Sequence, residues 1–129
     1  MKIHQLFGFL GDTNMPQLFI DNQKKVKEFC NQNHYEYQLW MPDDCNDIID
    51  EYEDFKVMYE NCRFDIMKVD IMRFLILHKH GGVYLDLDIS PKIDMLKEYP
   101  FASSTKIIEN KKGKRKIYEI EVLQSESNN

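Results

Sequence analysis

Long hydrophobic runs are missing from this 129-residue sequence. No stretch of about 18 consecutive apolar residues occurs, so we expect no membrane-spanning helix. The first residues lack an apolar segment followed by a small-residue cleavage site, so we expect no signal peptide and a cytoplasmic location, or the host cytoplasm if the protein is viral. A basic excess is also missing, because 17 Lys and Arg face 22 Asp and Glu for a net charge of −5. This balance argues against nucleic-acid binding, which normally requires a basic surface.

Cysteine is scarce and odd in number. Cys30, Cys45 and Cys62 form no Cys-x-x-Cys pair, and the four histidines complete no zinc spacing. We therefore expect three reduced thiols in a reducing compartment rather than a disulfide framework. The chain length is typical of one domain, which can bury about two thirds of its unfolded surface without such cross-links.

The first half of the chain alternates between strand and helix patterns. Residues 2–7 and the aromatic-rich 35–40 are typical of short strands. Between them, apolar residues at helical spacing predict a helix from Pro16 to about residue 32, and Pro42 with its following aspartates predicts the start of another. This order favours a parallel sheet with crossover helices.

The next two elements carry the most information. Residues 64–80 are apolar on almost every side, which predicts a largely buried helix that Gly81 and Gly82 terminate. Residues 83–89 then alternate strictly, which predicts a strand with one aliphatic face. The other face of that strand carries Tyr84, Asp86 and Asp88.

The remaining sequence predicts further β-structure. Residues 100–105 are typical of a strand, and 106–109 with 116–122 are typical of a hairpin. The polar residues 124–129 predict a flexible tail. We therefore expect a single domain over residues 1–123.

Two pairs of charged residues are candidates for chemistry. Asp86 and Asp88 project about 7 Å apart on one strand face, where they repel each other unless a cation such as Mg²⁺ or Mn²⁺ lies beside them. Alternatively, they are solvated residues of an edge strand. Asp70 and Arg73 lie at positions i and i+3 of the apolar helix, where they form either a simple intrahelical ion pair or a charged pair that reaches a site.

Both pairs lie within residues 68–88, a run that resembles the signature of glycosyltransferases with an Asp-x-Asp sugar-binding region. This family includes mannosyltransferases and bacterial capsular polysaccharide transferases, with the clostridial glucosylating toxins as distant kin. The family pattern is Asp-x-x-Arg, one or two helical turns, and Gly-Gly-x-Tyr-x-Asp-x-Asp. Its fixed positions correspond here to Asp70, Arg73, Gly81, Gly82, Tyr84, Asp86 and Asp88.

The resemblance implies a reduced GT-A-like α/β fold, an open and mostly parallel sheet with helices on both faces. It implies that Asp88 ligates a divalent cation, Mn²⁺ or Mg²⁺, and that Asp86 helps to hold the ion and contacts the ribose or sugar. Asp70 would accept hydrogen bonds from sugar hydroxyls, and Arg73 would meet the diphosphate or the sugar. The catalytic set would be Asp86, Asp88 and Arg73.

Four further residues are implied to bind the substrate. Phe7 matches a position where an aromatic residue flanks the nucleobase, and Leu6 and Gln5 would lie beside it. Tyr84 would form a hydrogen bond nearby, or would simply pack within the strand.

The activity implied is a metal-dependent, retaining transfer of a hexose from a nucleotide-diphosphosugar to an unknown glycan or protein acceptor. We expect a UDP-sugar as donor, with GDP-mannose as the close alternative. Family members usually exceed 200 residues, so a second reading is a non-catalytic or hydrolysis-only nucleotide-sugar-binding module. Exposed sheet edges also lead us to expect a homodimer.

Overall fold

The computed structural model describes residues 1–11, 14–89, 102–110 and 113–125, with the backbone alone in the last two ranges. One sheet contains five strands, of which β1 (Lys2–Leu6), β2 (Glu36–Trp40) and β3 (Gly82–Leu85) are parallel. The strands β4 (Ala102–Asn110) and β5 (Gly113–Ser125) form an antiparallel hairpin, and β5 pairs with β3. The order across the sheet is β2-β1-β3-β5-β4.

Strand β1, which lies between β2 and β3, is paired to different extents on its two sides. Its ladder with β2 continues to Leu6 and Trp40, whereas its ladder with β3 ends at His4 and Tyr84. The first residues of β1 and β3 lie so close together that a Cβ atom at Gly82 would overlap the carbonyl oxygen of Lys2. Gly82 also has a φ of +91°, a conformation that glycine adopts without strain.

Within the described residues, four α-helices connect the strands. They are α1 (Gln17–Asn33), α2 (Asn46–Glu51), α3 (Glu53–Glu60) and α4 (Asp65–His80), and a 3₁₀ turn covers Pro42–Cys45. The predicted strands at 2–7 and 35–40 and the predicted helices at 16–32 and 64–80 are therefore confirmed within a residue or two at each end. The helix expected after Pro42 is divided into a 3₁₀ turn and two short helices.

Helices cover both faces of the sheet. On one face Val26 and Cys30 of α1 pack against Ile3, Val83 and Leu85. On the other face α4 packs against the side chains that alternate with these, through Met72, Leu75, Ile76, Leu77, Leu6, Trp40 and Tyr84. This arrangement confirms the predicted α/β class with helices on both sides of a partly parallel sheet.

Helix α4 is less buried than its composition predicted. Met72 and Ile76 are completely buried, but Ile66, Met67 and Phe74 are between 42% and 49% exposed. A 16-residue helix is about 24 Å long, whereas a strand of four or five residues covers only about 15 Å. The first turns of α4 therefore extend beyond the strands, and the outward face at Phe74 remains uncovered.

The strand predicted over residues 83–89 is too long. β3 ends at Leu85, and a turn follows in which the Ile89 N–H donates to the Asp86 carbonyl oxygen at 3.0 Å. The turn ends the alternation of faces, so Leu87 leaves the aliphatic face and lines a pocket instead. Repetition of period two in the sequence cannot reveal this, because the turn follows from the loss of strand pairing.

The C-terminal hairpin is confirmed and is longer than predicted. The strand expected at 100–105 and the first arm of the hairpin are one strand, β4. Gln124 and Ser125, which we expected in a flexible tail, belong to β5 and pair with Val83 and Gly82. Residues 126–129 lie outside the described part of the chain. Among the helices that the structure describes, none has the length and apolar content needed to cross a membrane.

Candidate functional site

The strand order creates a crevice beside β1. The chain passes from β1 to its neighbour β2 on one side and then returns to place β3 on the other side. Such a reversal of direction is where open α/β sheets bind their ligands, at the carboxyl ends of the strands. Here the β1–β3 ladder ends at His4 and Tyr84, so the backbones of β1 and β3 are no longer paired beyond these residues.

A pocket of about 260 Å³ lies at this point. It is formed by residues 6–10 after β1, by Tyr84 and residues 86–88 after β3, and by side chains from α1 and α4. Both aspartates of the Asp-x-Asp motif line it, and so does Arg73. The sheet topology thus brings together residues that are far apart in the sequence.

The first aspartate of the motif is held by a neighbouring phenol. The Tyr84 hydroxyl donates a hydrogen bond of 2.8 Å to Oδ1 of the half-buried Asp86. Burial raises the pKa of the Asp86 carboxyl, and the negative charge of Asp88 raises it further, although the Tyr84 hydrogen bond and the Arg73 charge oppose these effects. A second cation near Asp86 would relieve this electrostatic tension.

The basic residue of the site is fixed from two directions. The Arg73 side chain is only 8% exposed, and its Nη2 lies 2.8 Å from Oδ1 of Asp70. Its guanidinium also stacks over the Tyr84 ring, with 5.0 Å between Cζ and the ring centroid. Asp70 and Arg73 therefore form the intrahelical ion pair of the first interpretation, and Arg73 alone also reaches the pocket. Asp70 is half-exposed and does not line the pocket.

The second aspartate is more accessible. Asp88 is exposed at the pocket, one residue beyond the buried Leu87. Where side chains are described, at residues 1–11 and 14–89, no group of three or more His, Cys, Asp or Glu comes together. The two carboxylates nevertheless fit Mg²⁺ or Mn²⁺, which commonly take one or two protein carboxylates and obtain their other ligands from phosphate and water oxygens.

Much of the pocket lining is apolar. Phe7 and Leu6 belong to it, and their place beside a nucleobase stays a prediction. Phe9, Leu10 and Phe19 also line the pocket, although no pattern in the sequence predicted this. Only the loop after β1 and the packing of α1 bring these three side chains to the site. An apolar lining together with charged side chains suits a ligand that combines a ring with a phosphate.

Gln5 is placed differently from its predicted role. Its side chain is fully buried and does not line the pocket. Its amide contacts the Tyr37 hydroxyl and the Asp86 carbonyl oxygen instead. The alternation of β1 side chains explains this position, because Gln5 shares the α1 face with Ile3, whereas Leu6 shares the α4 face with His4.

Comparison with known proteins gives a consistent family. Residues 16–121 match the family described as glycosyltransferase sugar-binding region containing DXD motif. Inositol phosphoceramide mannosyltransferase 3 of Schizosaccharomyces pombe is 34% identical over 101 residues, which are 76% of this chain and 27% of that protein. Mannosyl phosphorylinositol ceramide synthase SUR1 of Saccharomyces cerevisiae is 34% identical over 85 residues, which are 62% of this chain and 22% of that protein.

The chain thus spans about a quarter of the length of these curated relatives. No solved structure matches it.

Proposed function

The chain belongs to the glycosyltransferase family whose sugar-binding region contains the DXD motif, and from this premise we propose that it binds a nucleotide-diphosphosugar in the pocket and transfers the sugar. The observation that carries the proposal is the meeting of Asp86, Asp88 and Arg73 in one pocket at the strand ends. A nucleotide-sugar combines a base, a diphosphate and a sugar. This pocket offers apolar side chains, the guanidinium of Arg73 and two carboxylates.

The protein's own groups are suited to different parts of such a ligand. Arg73 presents a planar fork of donors that matches diphosphate oxygens, and its contacts with Asp70 and Tyr84 fix its orientation in advance. That charge would stabilise the negative charge that develops on the diphosphate as the sugar leaves. Phe7 would cover one side of the base.

We propose that Asp86 and Asp88 hold a divalent cation, Mn²⁺ or Mg²⁺, together with the diphosphate. When bound, such an ion acts as a Lewis acid on the phosphate oxygens. The Tyr84 hydroxyl donates to Oδ1 of Asp86 and so orients the carboxylate that would help to hold the ion.

The donor that we propose is GDP-mannose. The named relatives are mannosyltransferases or a mannosyl phosphorylinositol ceramide synthase, and this favours a mannose donor over the UDP-sugar that we expected first. Nothing in the pocket lining distinguishes guanine from uracil, so a UDP-sugar remains the competing candidate for the binding experiment.

The binding experiment is a calorimetric titration of the chain with GDP-mannose and with UDP-glucose, each with and without Mn²⁺. We expect GDP-mannose to bind more tightly, and Asp88→Ala to remove the metal-dependent part of its affinity. Glu28→Ala is the matched control, because it removes an exposed carboxylate from α1 outside the pocket. Equal binding by Asp88→Ala and Glu28→Ala would contradict the assignment of the metal site.

Transfer is tested separately from binding. The relatives are named for inositol phosphoceramide, so this lipid in detergent micelles is the first acceptor to offer together with GDP-mannose and Mn²⁺. A mannosylated lipid supports the transferase, and the configuration of its new linkage tests the predicted retention. Release of GDP and free mannose without lipid product favours the hydrolysis-only reading, and tight binding without release favours the non-catalytic one.

A further inference from the structure

Two polar side chains on the α1 side of the sheet have no part in the pocket lining. Gln5 is fully buried, and Tyr37 of β2 is partly buried on the same face. The Tyr37 hydroxyl donates to Gln5 Oε1 at 2.8 Å, and Gln5 Nε2 donates to the Asp86 carbonyl oxygen at 3.4 Å. A hydrogen-bonded chain therefore runs from β2 through β1 to the first aspartate of the motif.

The orientation of the Gln5 amide follows from its partners. The Asp86 carbonyl can only accept a hydrogen bond, so it must face the NH₂ group of Gln5. Burial raises the pKa of Tyr37 to about 12, so its hydroxyl keeps its proton and can donate to the amide oxygen. Each member of the chain thus has one suitable arrangement.

The location of this chain matters because backbone pairing ends there. The β1–β3 ladder stops at His4 and Tyr84, and β1 has no ladder pair with Asp86. The Asp86 carbonyl also accepts the Ile89 N–H at 3.0 Å, the bond that closes the turn containing Asp88. Gln5 therefore attaches the turn to the sheet where the ladder no longer does so.

We infer that Gln5, supported by Tyr37, is a positioning residue that fixes the Asp86–Ile89 turn and so holds both motif carboxylates in place for the cation. It acts through the backbone of Asp86 and needs no contact with substrate. The inference rests on the proposed function for its consequence in binding, but its structural part can be measured without any ligand.

The test uses Gln5→Met, which keeps the length of the side chain and removes both hydrogen bonds. It also uses Tyr37→Phe, which keeps the bond from Gln5 to Asp86 and removes the contacts of the Tyr37 hydroxyl with Gln5 and Gln23. Cys30→Ala is the control, because it creates a small cavity in the cluster against which Ile89 packs but leaves both hydrogen bonds of Gln5 intact. Amide hydrogen exchange by NMR reads the turn directly. We expect the Ile89 amide to exchange about tenfold faster in Gln5→Met relative to core amides, a smaller increase in Tyr37→Phe, and none in Cys30→Ala.

The second readout is the ratio of GDP affinity with and without Mn²⁺. If Gln5 is a positioning residue, this ratio falls about tenfold in Gln5→Met, while the affinity of that variant for GDP without metal stays unchanged. In Cys30→Ala the ratio should equal that of the wild type. Unchanged Ile89 exchange in Gln5→Met would overturn the inference, whatever the chain binds. If the Ile89 amide exchanges faster in Gln5→Met but the wild-type protein binds neither Mn²⁺ nor GDP, the positioning contact is supported and the proposed function is refuted.

Discussion

Removal of a single oxygen atom tests the electrostatics of the site. Tyr84→Phe keeps the ring that stacks on Arg73 but removes the hydroxyl that donates to Asp86 at 2.8 Å. A hydrogen bond to a charged group contributes roughly 1.5–3 kcal/mol. Without it the ionised form of Asp86 is less stable, so the pKa of this carboxyl, already raised by burial, rises further.

The expected consequence depends on pH. Well above the pKa of Asp86 the carboxylate is ionised in both proteins, and Mn²⁺ affinity in the presence of GDP should differ little. As the pH falls, protons compete with the metal sooner in Tyr84→Phe, and a loss of about 1.5 kcal/mol corresponds to about tenfold weaker Mn²⁺ binding. Calorimetric titrations between pH 8 and pH 5 measure the ratio of Mn²⁺ affinities between Tyr84→Phe and the wild type, in the presence of GDP.

Tyr52→Phe is the matched control, because it removes a hydroxyl that contacts His78 on an exposed surface outside the pocket. Its Mn²⁺ affinity should follow the wild type at every pH. A ratio between Tyr84→Phe and wild type that stays constant across the pH range would refute the reasoning, since it would show that Tyr84 does not act through the ionisation of Asp86.

Three further predictions concern stability. Asp86→Asn should raise the melting temperature of the ligand-free chain at neutral pH. Because folding raises the pKa of Asp86, its contribution to the stability of the fold is present below its unfolded pKa and lost as the pH rises through the folded pKa. Scanning calorimetry near pH 3 should therefore find no difference in melting temperature between Asp86→Asn and the wild type. Burial lowers the pKa of His4 to about 4, so the chain should lose about 3 kcal/mol as the pH falls from 6.5 towards 4, and His4→Gln should flatten this part of the profile in urea titrations. Ile76→Val should lower the free energy of unfolding by about 1 kcal/mol, because Ile76 is completely buried. Phe74 is exposed, so Phe74→Ala should change the free energy of unfolding by no more than about 0.5 kcal/mol. Equal effects of the two substitutions would contradict the described packing of α4.

The sequence predicted the elements of the fold where local periodicity decides them. Alternation in β1 and helical spacing in α1 and α4 reflect which side chains face the core, so these elements were recognised with small errors at their ends. The turn after Leu85 was missed because the alternating pattern continues through it, while the strand pairing that would stabilise an extended chain stops at Tyr84 on the β1 side and at Leu85 on the β5 side.

The site was predictable to the extent that its residues are close in sequence. The run 70–88 contains the acidic pair and Arg73, and the structure places these three residues in one pocket. Phe9 and Phe19 were missed because only tertiary packing brings them to the pocket. Gln5 was expected beside the ligand because the resemblance placed it next to Phe7, but the alternation of β1 turns its side chain toward α1 and the interior.

The central claim is that Asp86 and Asp88 hold a divalent cation beside the diphosphate of a nucleotide. Mn²⁺ is paramagnetic, so substoichiometric amounts in the presence of GDP will broaden the NMR signals of the nearest backbone amides. The account predicts that the strongest broadening occurs at residues 86–88 and extends to residues 6–9 across the pocket. Broadening centred on the acidic segment 50–54 between α2 and α3, with the signals of residues 86–88 unaffected, would contradict it.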